Sequence, residues 1–437
     1  MKVLLVNTDF GSISDSLIMP LTMYYLAGLL RESGHIVTVI DPLQYKKDGA
    51  YSEFVSIMDS LLKQQDIIAF TANTFSWGQT LEEIKRIRCA GFKQTIILGG
   101  VHASHAYLHI MSKYHMYIDY IIIGDGEDSL TNLIANIEQG KDTSQIPGIV
   151  SWDKNSSKIR FKPAETIVDL TKITHYPAYD LLPEKTYKIM SVEFSRGCYG
   201  NCTFCSIPHK QSWRGYSMEY ISNNIEHVLK YIDSKTGNKS ILATDDCFTT
   251  MPKRAISILE LFKEYNMKNF FLHLEARVID LLSNEKLIQE LTQFPKVNIQ
   301  FGAESGYDMG LKKIKKPLTL EQLYRICGLL SDYNLINNSF FSFIVGMPHE
   351  SFADSMKTIH TVEDLKSKYL INASINMWFP VPSQLFRELS TKDPDINMSI
   401  FDENNWFKKR TLIYKTHPQY TRSEIATLTQ KAKALSF

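Results

Sequence analysis

Lys188-Ile189-Met190-Ser191-Val192-Glu193-Phe194-Ser195-Arg196-Gly197-Cys198-Tyr199-Gly200-Asn201-Cys202-Thr203-Phe204-Cys205 is an apolar strand running straight into a glycine-bearing loop with three thiols. The chain has six cysteines, at 89, 198, 202, 205, 247 and 327. Three crowd into one loop and three are scattered, which is no disulfide framework and fits a reducing cytoplasm. Three thiolates on one loop can serve one metal centre. A structural zinc wants four protein ligands, and the fourth would have to be Cys89, Cys247, Cys327 or a histidine. A cubane iron–sulfur cluster normally takes four thiolates, so three leave one iron open for a ligand. Three unligated thiols are the remaining reading.

C-terminal to this loop, short apolar segments alternate with amphipathic helices. Strands are expected at Ile189–Phe194, Ser240–Ala243, Phe270–Leu274, Val297–Phe301, Ser339–Val345 and Ile371–Trp378, with helices such as Thr319–Tyr333 and Ser351–Lys366 between them. Six such units predict a parallel barrel or an opened part of one over 188–390, with its chemistry at the carboxyl ends of the strands. Residues 391–437, with Trp406 and a helical Ser423–Leu435, are read as a small helical cap.

N-terminal to the loop, residues 1–140 show the same alternation. Strands at Val3–Val6, Val37–Ile40, Ile67–Phe70, Ile96–Leu98 and Tyr120–Ile123 predict a second α/β domain, doubly wound and Rossmann-like. Ligands of such domains sit beyond the strand ends. Here those ends carry Thr71-Ala72-Asn73-Thr74-Phe75, Gly99-Gly100-Val101-His102-Ala103-Ser104 and Gly124-Asp125-Gly126-Glu127. Glycine there allows positive φ and close backbone approach, or merely a tight turn. No GxGxxG follows the first strand, which disfavours a dinucleotide. Residues 141–187 read as a linker containing a small hairpin and punctuated by Pro163, Pro177 and Pro183.

A formal charge of +1 over 437 residues offers no footprint for nucleic acid or an anionic membrane. No stretch approaches the roughly 20 apolar residues of a membrane span. The opening MKVLLVNTDF reads as a buried strand rather than a signal peptide. A cytoplasmic α/β enzyme is the expectation.

CxxxCxxC after the first strand of a barrel, with aromatic Phe204 before the last cysteine, resembles the radical S-adenosylmethionine superfamily. The resemblance implies a [4Fe-4S] cluster on Cys198, Cys202 and Cys205, whose open iron chelates the methionyl group. Reductive cleavage then yields a 5′-deoxyadenosyl radical. It also implies that S-adenosylmethionine meets Phe204, Asp245, Glu275, Arg277, Glu304, Ser305 and Gly346. Thr244-Asp245-Asp246 stands where many members carry Gly-Gly-Glu, and Ser383-Gln384 replaces a usual Gly-Thr. Taken alone, Arg277 could simply pair with an acid, and Cys247 reads more readily as a buried structural thiol than as an active-site group.

The N-terminal domain resembles the cobalamin-binding domain that precedes many such barrels, and the likeness spans roughly residues 1–390. It implies corrinoid contacts from Thr71, Asn73, Thr74, Phe75, Gly99, Gly100, His102, Ala103, Gly124, Gly126 and Glu127. Asp-x-His-x-x-Gly is absent, so no histidine cobalt ligand is expected; the lower face would meet Ala72–Trp77, and His102 is read as shaping a turn. The domain could also persist as a scaffold without its corrinoid. A methyltransferase follows, moving methyl from S-adenosylmethionine through methylcobalamin to an unactivated carbon, less readily phosphorus. Its substrate would be a small molecule or peptide, its electrons would come from a flavodoxin- or ferredoxin-type reductant, and no catalytic side chain is assigned. The alternatives are a cyclase or ring-rearranging enzyme with the same cofactors, and a corrinoid sensor or carrier with structural zinc.

Overall fold

The computed structural model describes residues 1–8, 18–42, 50–164 and 167–436; the end of the opening segment, Asp9, lies outside them. The chain forms two compact units. One is Met1–Ile189 with His227–Asn238 and Asn397–Lys408; the other is Met190–Glu226, Lys239–Ile396 and Lys409–Phe437.

The first unit is built on β1 (Lys2–Asn7), β2 (Ile36–Ile40), β3 (Ile67–Thr71), β4 (Thr95–Gly99) and β5 (Tyr120–Ile122), all parallel. Helices α1 (Leu21–Glu32), α2 (Ala50–Leu62), α3 (Trp77–Cys89), α4 (Val101–Tyr114) and α5 (Glu127–Glu138) alternate with them. Five of the six β1 residues are buried, as a central strand covered on both faces requires. The strand order β2-β1-β3-β4-β5 reverses direction between β1 and β3. That reversal is the switch point where doubly wound sheets bind ligands.

Two features depart from the sequence expectation. The hairpin β6 (Ile149–Asp153) and β7 (Lys158–Phe161) is not a detached linker element. It extends the same sheet antiparallel to β5, giving seven strands. Val101 opens a 14-residue helix, so His102 and Ala103 stand in a first helical turn rather than in a loop. The glycine pair before them masks the helix start, because Gly100, at φ +97, is its N-cap.

The second unit is a six-stranded open sheet of β8 (Met190–Val192), β11 (Ser240–Ala243), β12 (Phe271–Ala276), β13 (Val297–Glu304), β14 (Ser339–Val345) and β15 (Asn372–Met377). All are parallel and in chain order. Consecutive order is what a partial (β/α)6 barrel demands. A two-stranded ribbon of β9 (Ser195–Arg196) and β10 (Arg214–Gly215) flanks the cysteine loop. Among its helices, Phe352–Tyr369 starts from a Ser351–Asp354 capping box and Arg422–Leu435 from a Thr421–Glu424 one. The C-terminal residues are not one cap: Asn397–Lys408 cluster with the first unit and Lys409–Phe437 with the second.

Candidate active site

The cysteine loop is held by groups of the chain itself. Gly197 sits at φ +88, where a Cβ would fall 1.8 Å from the Ser212 carbonyl oxygen, so only glycine closes the loop. Two carboxylates at the end of β11 hold the approach. Asp245 accepts the Phe194 N–H at 2.8 Å and the Ser195 hydroxyl, and Asp246 accepts the Gly197 N–H at 2.7 Å. Burial pushes the Asp245 carboxyl up to about 7. Both of its oxygens thus bond the loop, a structural role beside the S-adenosylmethionine contact that the resemblance implies.

The thiols have partners suited to ligation. Cys198 Sγ accepts the Gly200 N–H at 3.3 Å, and Cys205 Sγ accepts the Ile207 N–H at 3.5 Å. Such N–H···S bonds stabilise sulfur-borne negative charge. A Cβ on Gly200 would lie 3.3 Å from Cys198 Sγ and 3.9 Å from Cys202 Sγ, so both sulfurs face that glycine. Burial pushes the Cys202 thiol up to about 11 and raises Cys205 as well, so loading these ligands must release protons. Among the described residues, no group of three or more His, Cys, Asp or Glu is set to hold a single ion. In a cubane each thiolate binds its own iron, so the donors need not converge on one point. The loop fits a cluster held by three thiolates better than a zinc ion.

Other proposed S-adenosylmethionine residues line successive strand ends. Glu304 closes β13 at a bulge, with φ +65, and pairs with Lys316 at 3.1 Å. Lys316 was missed; on a Lys-Lys-Pro run it reads as a solvated turn, yet its side chain is only 15% exposed. Glu275, on β12, is pushed up to about 7 by burial, with the Glu304 charge adding to the effect and Lys316 opposing it. Ser305 Oγ is buried with no partner among the described residues, which leaves it open to a ligand. Arg277 is committed elsewhere, donating to both Asp280 oxygens at 2.8 and 2.6 Å. This is the pairing with an acid that the sequence offers as the alternative role for Arg277, and it uses Nε and Nη2. Gly346 donates its N–H to Glu350 at 2.9 Å and to Ser355 at 3.1 Å. Phe204 is half-buried beside Cys205. Cys247 is buried within 3.6 Å of Asp280 and raised to about 11 by burial.

In the first unit the proposed corrinoid residues fall at the ends of β3, β4 and β5. Thr71 ends β3, and Asn73 Oδ1 accepts the Phe75 and Ser76 N–H groups, both at 2.8 Å, to start α3. Gly99 ends β4. A Cβ on Gly100 would stand 2.5 Å from the Ala72 carbonyl oxygen, so glycine lets the β3 and β4 loops touch. Gly124 donates its N–H to Ser104 Oγ at 3.0 Å. Gly126 caps α5, and buried Glu127 accepts the Tyr25 hydroxyl at 2.8 Å. Ala103 is buried. His102 is fully buried, stacked on Trp77 at 5.2 Å with Nδ1 3.3 Å from Thr74 Oγ1, and burial lowers it to about 3. It packs the turn as a neutral ring. Gly100 in close backbone contact with Ala72, and a buried His102 Nε2 without a partner among the described residues, are what this end of the sheet offers toward a ligand.

A doubly wound domain with a glycine-lined switch point and an open barrel with a three-cysteine loop define a radical S-adenosylmethionine enzyme carrying a B12-binding domain. The chain carries both domains: the B12 binding domain model matches residues 14–134 and the radical SAM superfamily model residues 192–362. It is 28% identical over 422 residues to an uncharacterized methyltransferase of Pyrococcus horikoshii, covering 94% of this chain and 86% of that protein. It is 26% identical to the anaerobic magnesium-protoporphyrin IX monomethyl ester cyclase of Rubrivivax gelatinosus, covering 90% of this chain and 70% of that one. Its fold matches the radical S-adenosylmethionine methyltransferase TsrM of Kitasatospora setae, solved with cobalamin and a [4Fe-4S] cluster. The TM-score is 0.70 at 18% identity, over 90% of this chain and 75% of TsrM. Among the described residues no helix is long and apolar enough to cross a membrane.

Proposed function

We propose that the chain is a cobalamin-dependent methyltransferase that moves a methyl group from S-adenosylmethionine to an unactivated carbon, less readily phosphorus, of a small molecule or peptide. The observation that supports this reading is a three-thiol loop closed by Gly197 and a glycine-bearing switch point in one chain, with similarity to a protein named a methyltransferase across most of its length. When bound, the cluster supplies the electron that cleaves S-adenosylmethionine and the corrinoid supplies the methyl carrier. Gly197, Asp245 and Asp246 hold the loop of Cys198, Cys202 and Cys205. Ser305 offers a free hydroxyl, and Glu304 with Lys316 keeps a paired charge beside Cys202. Asn73, Gly100 and His102 shape the β3 and β4 loops, and with Asp-x-His-x-x-Gly absent a bound corrinoid would have no histidine cobalt ligand. The electron comes from an external flavodoxin- or ferredoxin-type donor. A cyclase with the same cofactors is the second reading, favoured by the likeness to the Rubrivivax enzyme.

Methyl-labelled S-adenosylmethionine separates the two without a known substrate. The protein is reconstituted anaerobically with hydroxocobalamin, reduced, and its corrinoid extracted for mass spectrometry. Labelled methyl on cobalt is the methyltransferase result; cleavage of S-adenosylmethionine with an unlabelled corrinoid favours the cyclase.

A further inference from the structure

The segment Asn397–Lys408 clusters with the first unit although it follows the whole barrel in sequence. Its centre is Asp402, whose side chain is 9% exposed. The carboxylate accepts the Trp77 indole N–H at 3.0 Å, the Lys113 ammonium at 2.9 Å and the Tyr114 hydroxyl at 2.8 Å, and lies 2.9 Å from His109 Nε2. Trp77 is the first residue of α3, directly after the β3 loop; the other three are on α4. One carboxylate therefore ties together the two helices that issue from the β3 and β4 loops.

A second grip falls on the β3 loop itself. Trp406 donates its indole N–H to the Thr74 carbonyl at 3.0 Å and stacks on Phe75 at 5.6 Å and 20°. Phe401 meets the edge of both His102 and Trp406. The Glu403 backbone lies so close to Gly78 that a Cβ there would come within 2.5 Å of it. Four residues of a distant segment thus touch Thr74, Phe75, Trp77, Gly78 and His102 (the stretch at the switch point where a doubly wound sheet binds its ligand).

A surface staple of this length would not need a nearly buried carboxylate with four polar partners. Buried Trp77 and Tyr114 would lose that acceptor if the carboxylate were removed, whereas half-exposed Lys113 can turn to water. We infer that Asp402 is a positioning residue for the corrinoid. It and Trp406 set the β3 loop at the spacing cobalamin requires, so the segment after the barrel completes the site in the first unit. This rests on the cobalamin reading above.

The test measures hydroxocobalamin affinity of the full-length, cluster-loaded protein by equilibrium dialysis, with iron content and melting temperature recorded alongside. Asp402→Ala is expected to weaken cobalamin at least tenfold while iron stays at the parent's level. Asp402→Glu, which keeps the charge, is expected to recover part of that loss. Trp406→Phe keeps the stacked ring and deletes only the N–H to Thr74, and a loss of about three- to tenfold is expected, of the order of one hydrogen bond. It also carries the test if Asp402→Ala fails to fold. The cob(II)alamin EPR spectrum of either variant should broaden relative to the parent, a change that a stability effect distant from the cofactor would not produce. Parent-like affinity and EPR in both Trp406→Phe and Asp402→Glu, with only a lowered melting temperature in Asp402→Ala, would overturn the inference and leave the cobalamin reading standing. A parent that binds no hydroxocobalamin would overturn that reading as well.

Discussion

Cys198, Cys202 and Cys205 carry the chemistry assigned to the second unit, and each holds a different local partner: Gly200 N–H, the Lys315 carbonyl and Ile207 N–H. Replacing any one with alanine is expected to cut bound iron and sulfide severely and to abolish 5′-deoxyadenosine formation, because two thiolates cannot retain a cubane. Glu275 makes a separate prediction. Burial pushes its carboxyl to about 7 in the folded chain, against about 4.3 when unfolded, so the folded state holds the proton more tightly. Its contribution therefore falls as pH rises from about 4 to about 7 and is level above that. Glu275→Gln should remove that component, at most roughly 4 kcal/mol, and flatten the decline in melting temperature between pH 5 and 7. An unchanged slope would assign the decline to other groups. With Asp-x-His-x-x-Gly absent and His102 packed against Trp77, cob(II)alamin without hyperfine splitting from a histidine nitrogen is expected; such splitting in the parent's EPR spectrum would contradict it.

At the level of elements, the glycine turns set which loops can meet. Gly100→Ala puts a side chain at φ +97 and 2.5 Å from the Ala72 carbonyl oxygen. It is expected to cost about 1–3 kcal/mol in thermal or denaturant unfolding and to weaken cobalamin retention. Retention at the parent's level would mean that contact between the β3 and β4 loops is dispensable. Most strands were legible in the sequence because parallel strands buried on both faces read as short continuous apolar runs; Ser240–Ala243 and Ser339–Val345 appear with the expected bounds. Helix α4 was not, since Gly99-Gly100 reads as a turn and the three histidines of VHASHAYLHIMSKY blur its apolar stripe. The cysteine loop stands out by its spacing, which left a cluster, zinc and unligated thiols open, and pairing of Arg277 with an acid was among the sequence readings. The bonds of Asp245 to Ser195 and Phe194 were not legible: pairing of that kind depends on side-chain direction across a sheet end.

Across the whole molecule, the part least visible in sequence is what the residues after the barrel do. Asp402 and Trp77 are 325 residues apart, and no local pattern announces their contact. The later residues instead serve the second unit, where Lys366 donates to the Leu435 carbonyl at 2.7 Å and the Ile375 N–H to Ser436 Oγ at 3.1 Å. Ending the chain at Ile396 should therefore lower hydrogen-exchange protection in two separate places, α3–α4 and β15. Protection unchanged in α3–α4 would show that the first unit needs no later segment. Product mass bears on the reaction: a gain of one methylene unit fits methylation, whereas loss of hydrogen or an unchanged carbon skeleton fits the cyclase.

The most direct test is a single assay on protein reconstituted anaerobically with iron, sulfide and hydroxocobalamin, then reduced with S-adenosylmethionine present. The parent should release 5′-deoxyadenosine and keep its cobalamin through desalting, while the Cys198/Cys202/Cys205→Ala protein releases none. Zinc in place of iron, or no 5′-deoxyadenosine from a fully loaded cluster in the presence of a methyl-accepting substrate, would contradict the account.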